Sequence, residues 1–225
     1  MLLSRNRLFE RKSPSREAKI IYIFCEGVDR ELKYFQYFRE MDSRINLEIY
    51  ELDAHEDNSP KGLLEIAKNC ILMADDNPEP KYNFQDQDEV WIVLDTDPDK
   101  TSSRIPQIIA VKSEIKAYDR WSLVKSNPCF EVWLYYHGQP SFESFEGEEA
   151  CKNWKSLVNT VLPGGFDSRK HPIFIEEATR HAKENFSLDS AENPDIGSTE
   201  VFRLSESMLG LLVDKIREAK EKLTT

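Results

Sequence analysis

Acidic residues follow two apolar segments of the chain, at the points where each segment ends. Glu26 comes directly after KIIYIFC at 19–25, and Asp95 and Asp97 follow EVWIVL at 89–94. Both segments have the apolar, β-branched and aromatic character of buried strands. Because the carboxyl ends of parallel strands share one edge of a sheet, where ligands bind, we expect these three carboxylates to meet there.

Three carboxylates at one edge would favour a divalent cation. Like charges within a few ångströms of each other repel strongly unless a proton or a cation lies between them. Oxygen ligands with few His or Cys residues nearby suit Mg²⁺ or Mn²⁺, so the pattern predicts a site for one of these metals. The alternative is that Asp95, Asp97 and Asp99 form a loop and that Glu26 is a solvated strand end.

The elements that must position these residues alternate between strand and helix as far as Ser126. Strand character is found in four segments, at 19–25, 46–52, 89–94 and 121–125. We expect Asp29 to cap a first helix. A second helical pattern follows the Ser59-Pro60 pair, which has the form of an N-cap with proline at the first helical position, and a third lies near 104–119. This alternation predicts an α/β fold with a mainly parallel four-stranded sheet and helices on both faces.

After Ser126 the chain shows helical patterns alone, at about 129–137, 147–161, 172–186 and 198–222. We therefore expect a basic N-terminal arm at 1–18, an α/β core at 19–126, and a helical part at 127–225 packed on that core. We expect the arm to be disordered or bound to a partner.

Charge is distributed unevenly along the 225 residues. The formal net charge is −11, of which residues 1–19 contribute +4, so that the remainder carries −15. Such a body does not attract nucleic acid over a long range. A role on nucleic acid therefore requires a metal, a local basic patch or a basic partner to offset the field.

The compartment is indicated by the cysteines and by the hydropathy of the chain. The four cysteines show no CxxC pairing, and three of them lie within apolar segments. We expect free thiols and a reducing, cytoplasmic location. No apolar run approaches the roughly 20 residues that span a membrane, and the N-terminus lacks the apolar region of a secretory signal.

A second motif, SNPCFEVWLYYH at 126–137, follows the fourth predicted strand. We expect Asn127 to cap a helix whose free backbone N–H groups face a phosphate. Glu131 in the first turn is either a further metal ligand or a carboxylate that only stabilises the helix start. His137 is either a proton shuttle or an ordinary helix-end histidine. Lys61, in the second predicted helix, either touches phosphate or is solvated.

These motifs resemble those of the RloB-like family. The stretches IFCEGVDRELKYFQYF at 23–38 and SNPCFEVWLYYH at 126–137 are similar to its two principal motifs, and SPKGL at 59–63 and NPDIGSTEV at 193–201 also fit its pattern. The resemblance covers about residues 19–210. Arg30 departs from it, because threonine is expected at that position.

The resemblance implies a topoisomerase–primase (TOPRIM) core, whose signature is Glu-Gly after the first strand and Asp-x-Asp after the third. It also implies a divalent-metal-dependent nuclease acting in bacterial defence against phage, with many members encoded beside an ATPase. Asp95 and Asp97 would hold Mg²⁺ or Mn²⁺, and Glu26 would act as a ligand or as a general acid or base.

We therefore predict a nuclease that cleaves RNA, such as tRNA, or DNA, with Glu26, Asp95, Asp97 and Glu131 as its catalytic residues. We expect a partner ATPase to activate it, and a homo-oligomer remains open. The alternative function is that of a non-catalytic, metal- or nucleotide-binding subunit of a defence complex.

Overall fold

Four parallel strands form a single sheet in the computed structural model, which describes residues 8–27, 29–97 and 101–224. They are β1 (Lys19–Cys25), β2 (Ile45–Ile49), β3 (Glu89–Asp95) and β4 (Trp121–Ser126). The strand order is β2-β1-β3-β4, and all three neighbouring pairs are parallel. The predicted four-stranded parallel sheet is confirmed, and β1 and β3, which carry the candidate acids, are adjacent.

The position of each strand in the sheet explains its sequence. The inner strands β1 and β3 have helices over both faces, so nearly every residue along them is apolar and buried. The edge strand β2 alternates instead, with Ile45, Leu47 and Ile49 buried and with Asn46 and Glu48 only partly covered. One face of this edge strand therefore remains accessible.

Helices cover both faces of the sheet, as predicted. One face packs on α2 (Pro60–Ile71) and α3 (Thr101–Glu114), with a 3₁₀ turn at Ile115–Ala117 continuing α3. The other face packs on the remaining helices, which are α1 (Arg30–Gln36), α4 (Glu131–Tyr135), α5 (Cys151–Val161), α6 (Ile175–Glu184) and α7 (Val201–Thr224). The chain after Ser126 is mainly helical, and several of its helices begin later than the sequence pattern predicts.

Local capping is confirmed for one predicted helix start and is wrong for two others. The Ser59 hydroxyl accepts a hydrogen bond from the Gly62 N–H at 3.2 Å, with Pro60 at the first helical position. Asp29 makes no side-chain cap and pairs with Lys33 instead. Asn127 does not cap α4, because its side chain accepts the Thr96 hydroxyl at 2.9 Å and donates to a carbonyl oxygen at 2.7 Å.

The N-terminal arm lies against the body over the part that the structure describes. Leu8 and Phe9 pack on the larger hydrophobic cluster. The Lys12 and Ser15 N–H groups donate to the Glu40 and Ser43 carbonyls, at 2.7 and 2.8 Å. Apolar contacts and backbone hydrogen bonds thus hold residues 8–18 in place, whereas the sequence predicts an arm that is disordered or bound to a partner. Residues 1–7 lie outside the described residues.

Two further expectations concern the thiols and membrane spans. The four cysteines are free, and Cys25, Cys70 and Cys129 are buried. Within the described ranges, no helix combines the length and the hydropathy that a membrane crossing requires.

Packing of α3 is tested by truncating two neighbouring isoleucines of that helix. Ile108 is 1% exposed and faces the sheet, whereas Ile109 is 56% exposed. We expect Ile108→Ala to lower the free energy of unfolding by about 2–5 kcal/mol through lost burial and a cavity. Ile109→Ala, which changes helix propensity identically, should stay within about 0.5 kcal/mol of wild type in urea unfolding. Equal losses in the two variants would contradict the described orientation of α3.

Candidate active site

Glu26 and Asp95 meet at the carboxyl end of the two central strands. In the β1–β3 register Cys25 lies opposite Val93, which places Glu26 beside the end of β3. The Glu26 carboxylate accepts a hydrogen bond from the Asp95 backbone N–H at 2.9 Å. Glu26 therefore extends the pairing of the strands through its side chain and fixes the backbone from which Asp95 projects.

Arg104 on α3 completes this junction. Its Nε donates to the Asp95 carbonyl at 2.8 Å, and its guanidinium forms an ion pair with the Glu26 carboxylate. The Arg104 residue is only 8% exposed. A buried ion pair of this kind is costly to break, because removing one partner leaves the other charge uncompensated. One predicted metal ligand, Glu26, is thus already paired with a protein cation.

The ionised form of Asp95 is strongly disfavoured at this end of the sheet. Burial raises the pKa of its carboxyl well above the usual range, and the charges of Glu31 and Glu131 raise it further. An interaction with the Phe130 backbone N–H opposes part of that rise. Asp95 is therefore the carboxylate that would gain most from a nearby cation.

Glu31 is a second buried acid at the same place. It lies in the first turn of α1 and is 9% exposed. Its carboxyl occupies the space that a side chain at position 27 would need, so the chain requires Gly27 there. Burial raises the Glu31 pKa, and the Glu131 charge adds to the rise.

Glu131 is brought to the cluster from α4. It is 4% exposed, and it accepts a hydrogen bond from Arg30 at 2.8 Å. The residue that departs from the family pattern thus supplies a cation to the second motif. The Phe130 backbone N–H interacts with the Asp95 carboxylate. That the N–H groups at this helix start face a phosphate stays a prediction.

Asp97 lies in a loop that is tied to the segment after β4. Its φ angle is 38°, and its N–H donates to the Pro128 carbonyl at 2.9 Å. The preceding Thr96 N–H donates to the Ser126 carbonyl at 2.9 Å. The Asp97 charge also acts on the Cys151 thiol, as does that of Glu131. Both carboxylates therefore lie near the Cys151 thiol.

The carboxylate oxygens of this cluster are suitable ligands for a divalent metal, but the positions of the described side chains do not form a coordination site. All of the acids offer carboxylate oxygens, which Mg²⁺ and Mn²⁺ prefer. Within the part of the chain that the structure describes, however, no three Asp, Glu, His or Cys side chains are gathered as a ready-made ligand set. Binding a cation would require these side chains to move towards one another, at a cost offset by relief of their repulsion.

His137 and Lys61 have surroundings that differ from each other. His137 is 8% exposed and hydrogen-bonds to the Tyr34 hydroxyl at 3.2 Å and to the Trp133 carbonyl at 3.1 Å. Burial lowers its pKa to about 3, so the ring is neutral at physiological pH and serves the core. Lys61 is exposed at the start of α2.

Sequence reasoning left out Glu31, Arg104 and Arg30 as site residues. Glu31 had a detectable signal, because it lies four residues after Gly27 within the 23–38 motif. Arg104 had none, since its partners Glu26 and Asp95 are known only once α3 is placed against the sheet.

Comparison with known proteins identifies one family. Residues 21–208 match the model of the RloB-like protein family. No curated protein and no solved structure matches the chain. The family match spans the sheet from Ile21 of β1 onwards, the acidic cluster and the first third of α7, as far as Met208.

The Arg104 junction is tested by a double-mutant cycle. We expect Arg104→Gln to lower the free energy of unfolding by about 3–5 kcal/mol, because it leaves the Glu26 charge buried without a partner. Adding Glu26→Gln should recover part of that loss. As a control, Arg217→Gln removes a surface ion pair with Glu176 and should cost less than about 1 kcal/mol. Additive losses for Arg104→Gln and Glu26→Gln in urea unfolding would contradict the junction.

Proposed function

Because the chain belongs to the RloB-like family, we propose that it is a divalent-metal-dependent nuclease that hydrolyses phosphodiester bonds in RNA, such as tRNA, or in DNA. The observation that carries this proposal is the half-buried Asp95 carboxylate at the end of a central strand, beside the buried acids Glu31 and Glu131, whose charges raise its pKa further. Such a cluster is unfavourable without a cation, and perturbed acids in one place are typical of functional sites. A TOPRIM-like catalytic core, as the sequence motifs imply, is part of the proposal.

We assign the metal, Mg²⁺ or Mn²⁺, to Asp95, Asp97 and Glu131. When bound, it would polarise the scissile phosphate and stabilise charge on the leaving oxygen. Asp95 projects from the most constrained backbone of the three, because Glu26 and Arg104 both hold its peptide groups. Arg30 limits the repulsion at Glu131 and keeps that side chain oriented in the cluster.

Glu26 receives a positioning role in this proposal. The sequence predicts it as a metal ligand or as a general acid or base. Its Oε1 atom accepts the Asp95 N–H, and Arg104 pairs with the same oxygen. Proton transfer by Glu26 would require Arg104 to release the carboxylate, and the polypeptide offers no second cation at that oxygen among the described contacts.

Substrate capture requires positive charge that the body of the chain does not provide. Outside residues 1–19 the formal net charge is −15, whereas phosphate binding depends on Lys and Arg. A bound divalent ion offsets only two of those charges. We propose that a partner, for which the ATPase encoded beside many family members is the natural candidate, completes the substrate surface and switches on cleavage as part of a bacterial anti-phage defence system.

A second candidate function is that of a non-catalytic, metal- or nucleotide-binding subunit of such a defence complex. The observation that favours it is the pairing of Glu26 with Arg104, together with the lack of a ready-made ligand set within the described ranges. In this alternative the acidic cluster would bind a cation or a nucleotide as a signal, without hydrolysis.

Cleavage is tested on tRNA, single-stranded RNA and plasmid DNA with Mg²⁺ or Mn²⁺, at about 0.15 M salt, where screening resembles that of the cell. The chain is assayed alone and with its neighbouring ATPase. We expect slow cleavage alone, fast cleavage with the partner, and a loss of about 100-fold or more in Asp95→Asn, because a principal stabiliser of transition-state charge is removed. The matched control Asp119→Asn, at an exposed position, should retain full activity.

Two results would contradict parts of this proposal. Fast metal-dependent cleavage by the chain alone refutes activation by a partner. No cleavage of any substrate in either mixture refutes the nuclease and favours the non-catalytic alternative.

A further inference from the structure

An open cleft of about 830 Å³ lies over the accessible face of the edge strand β2, away from the acidic cluster. Its floor includes Ile20 and Tyr22 of β1, and its sides include Asn46 and Glu48 of β2. The opposite wall is the segment at 81–87, which belongs to the connection between α2 and β3. The volume is within the range of roughly 300–1,000 Å³ that small-molecule sites occupy.

The wall of this cleft is held by buried hydrogen bonds. Asp88 is completely buried, and its carboxylate accepts the Ile20 N–H at 2.8 Å and the Gln85 N–H at 2.9 Å. The Tyr82 N–H donates to the Cys70 carbonyl at the end of α2, at 2.9 Å. The wall is thus joined to the floor through Asp88 and to α2 through Tyr82, which makes the cleft a built feature of the fold.

Tyr22 presents to the cleft a hydroxyl group that the fold does not use. The residue is 1% exposed and lines the cleft, and its ring packs against Tyr82 with centroids 4.9 Å apart. Its hydroxyl makes no hydrogen bond to another residue in the described ranges. Burial and the charge of Asp88 raise its pKa, so the hydroxyl remains protonated. It can therefore donate a hydrogen bond to a neutral acceptor in the cleft.

The rest of the lining combines amides with cations. Four carboxamide side chains, each able to donate and to accept, belong to Asn46, Asn83, Gln85 and Gln87. Two cations, Arg16 and Lys81, lie at the same cleft, and the Lys81 ammonium is held over the rings of Tyr50 and Tyr82 at 4.5 and 5.2 Å. Glu17 and Glu48 bring the formal charge of the lining to zero, on a chain whose net charge is −11.

We propose that this cleft binds a nucleotide, with the base against Tyr22 and the carboxamides and the phosphate at Arg16 and Lys81. Bases are recognised in proteins by amide hydrogen bonds to their edges and by aromatic contacts, and phosphates by Lys and Arg. The Tyr22 hydroxyl requires an acceptor without charge, because Asp88 and Glu48 lie nearby, and a base carbonyl or ring nitrogen meets that requirement. The cations then account for an anionic group at the other end of the same ligand.

This site is independent of the acidic cluster. Tyr22 of β1 lies four residues before Glu26, which follows the strand, and this corresponds to about 13 Å along an extended chain. Tyr22 also belongs to the hydrophobic cluster on the α2 and α3 face. The bound nucleotide is either a free mononucleotide or one unit of a single-stranded nucleic acid, since both present the same base and phosphate.

Binding is tested by titration calorimetry with AMP, GMP, CMP and UMP, and with adenosine, inorganic phosphate and short single-stranded RNA. We expect at least one mononucleotide to bind with Kd of about 1 mM or tighter. Tyr22→Phe, which keeps the ring, should weaken it about tenfold through loss of one hydrogen bond. Tyr118→Phe is the matched control, because the Tyr118 ring packs against Trp121 and the residue lies outside the cleft lining.

Two further variants separate the parts of the site. Arg16→Ala combined with Lys81→Ala should weaken AMP and leave adenosine unchanged, and Asp95→Asn should leave both unchanged. Tighter binding of the RNA than of any mononucleotide identifies nucleic acid as the source of the ligand, and the reverse identifies free nucleotides. No heat from any nucleotide at about 5 mM, an unaltered affinity in Tyr22→Phe, or a loss confined to Asp95→Asn overturns the proposal.

Discussion

The surrounding structure is constrained by repulsion among the carboxylates that lie at the carboxyl ends of β1 and β3. Burial and neighbouring acids raise the pKa values of Asp95 and Glu31. The chain offsets part of this charge with Arg104 at Glu26 and Arg30 at Glu131. The remainder is left for protons or for a bound cation. Apolar residues at these positions would stabilise the fold more, because burying acids is costly, so the presence of several acids here favours a functional role.

Hydrophobic packing and backbone hydrogen bonds around the cluster hold the acidic residues together despite their repulsion. Two hydrophobic clusters, one on each face of the sheet, hold the central strands in place. The loop after β3 is tied to the segment after β4 by the Thr96 and Asp97 N–H groups, which donate to the Ser126 and Pro128 carbonyls. These hydrogen bonds keep the loop after β3 beside the segment after β4, so the acids stay close together although their charges repel.

Much of the fold could be predicted from the sequence, whereas most of the site's contacts could not. Continuous apolar segments predict buried parallel strands. In the structure β1 and β3 are adjacent, and this brings Glu26 to Asp95. Asn127 was wrongly expected to cap a helix, because its true partners, Thr96 and the Pro194 carbonyl, are 31 and 67 residues away. The Arg30–Glu131 pair spans 101 residues. Local patterns report periodicity and capping preferences, but they contain no information about which distant side chains share a buried environment.

The central claim, that the carboxylates around Asp95 form a cation site, is tested most directly by thermal unfolding of wild type and Asp95→Asn at pH 8, with and without about 1 mM Mn²⁺. A raised pKa means that folded Asp95 binds protons more strongly than unfolded Asp95, so its contribution to stability is lost as the pH rises above the unfolded value. Without metal, Asp95→Asn should therefore unfold at a higher temperature than wild type. With Mn²⁺, wild type should gain stability and Asp95→Asn should not. A lower melting temperature for Asp95→Asn without metal, or an equal gain from Mn²⁺ in both proteins, would contradict the cation site.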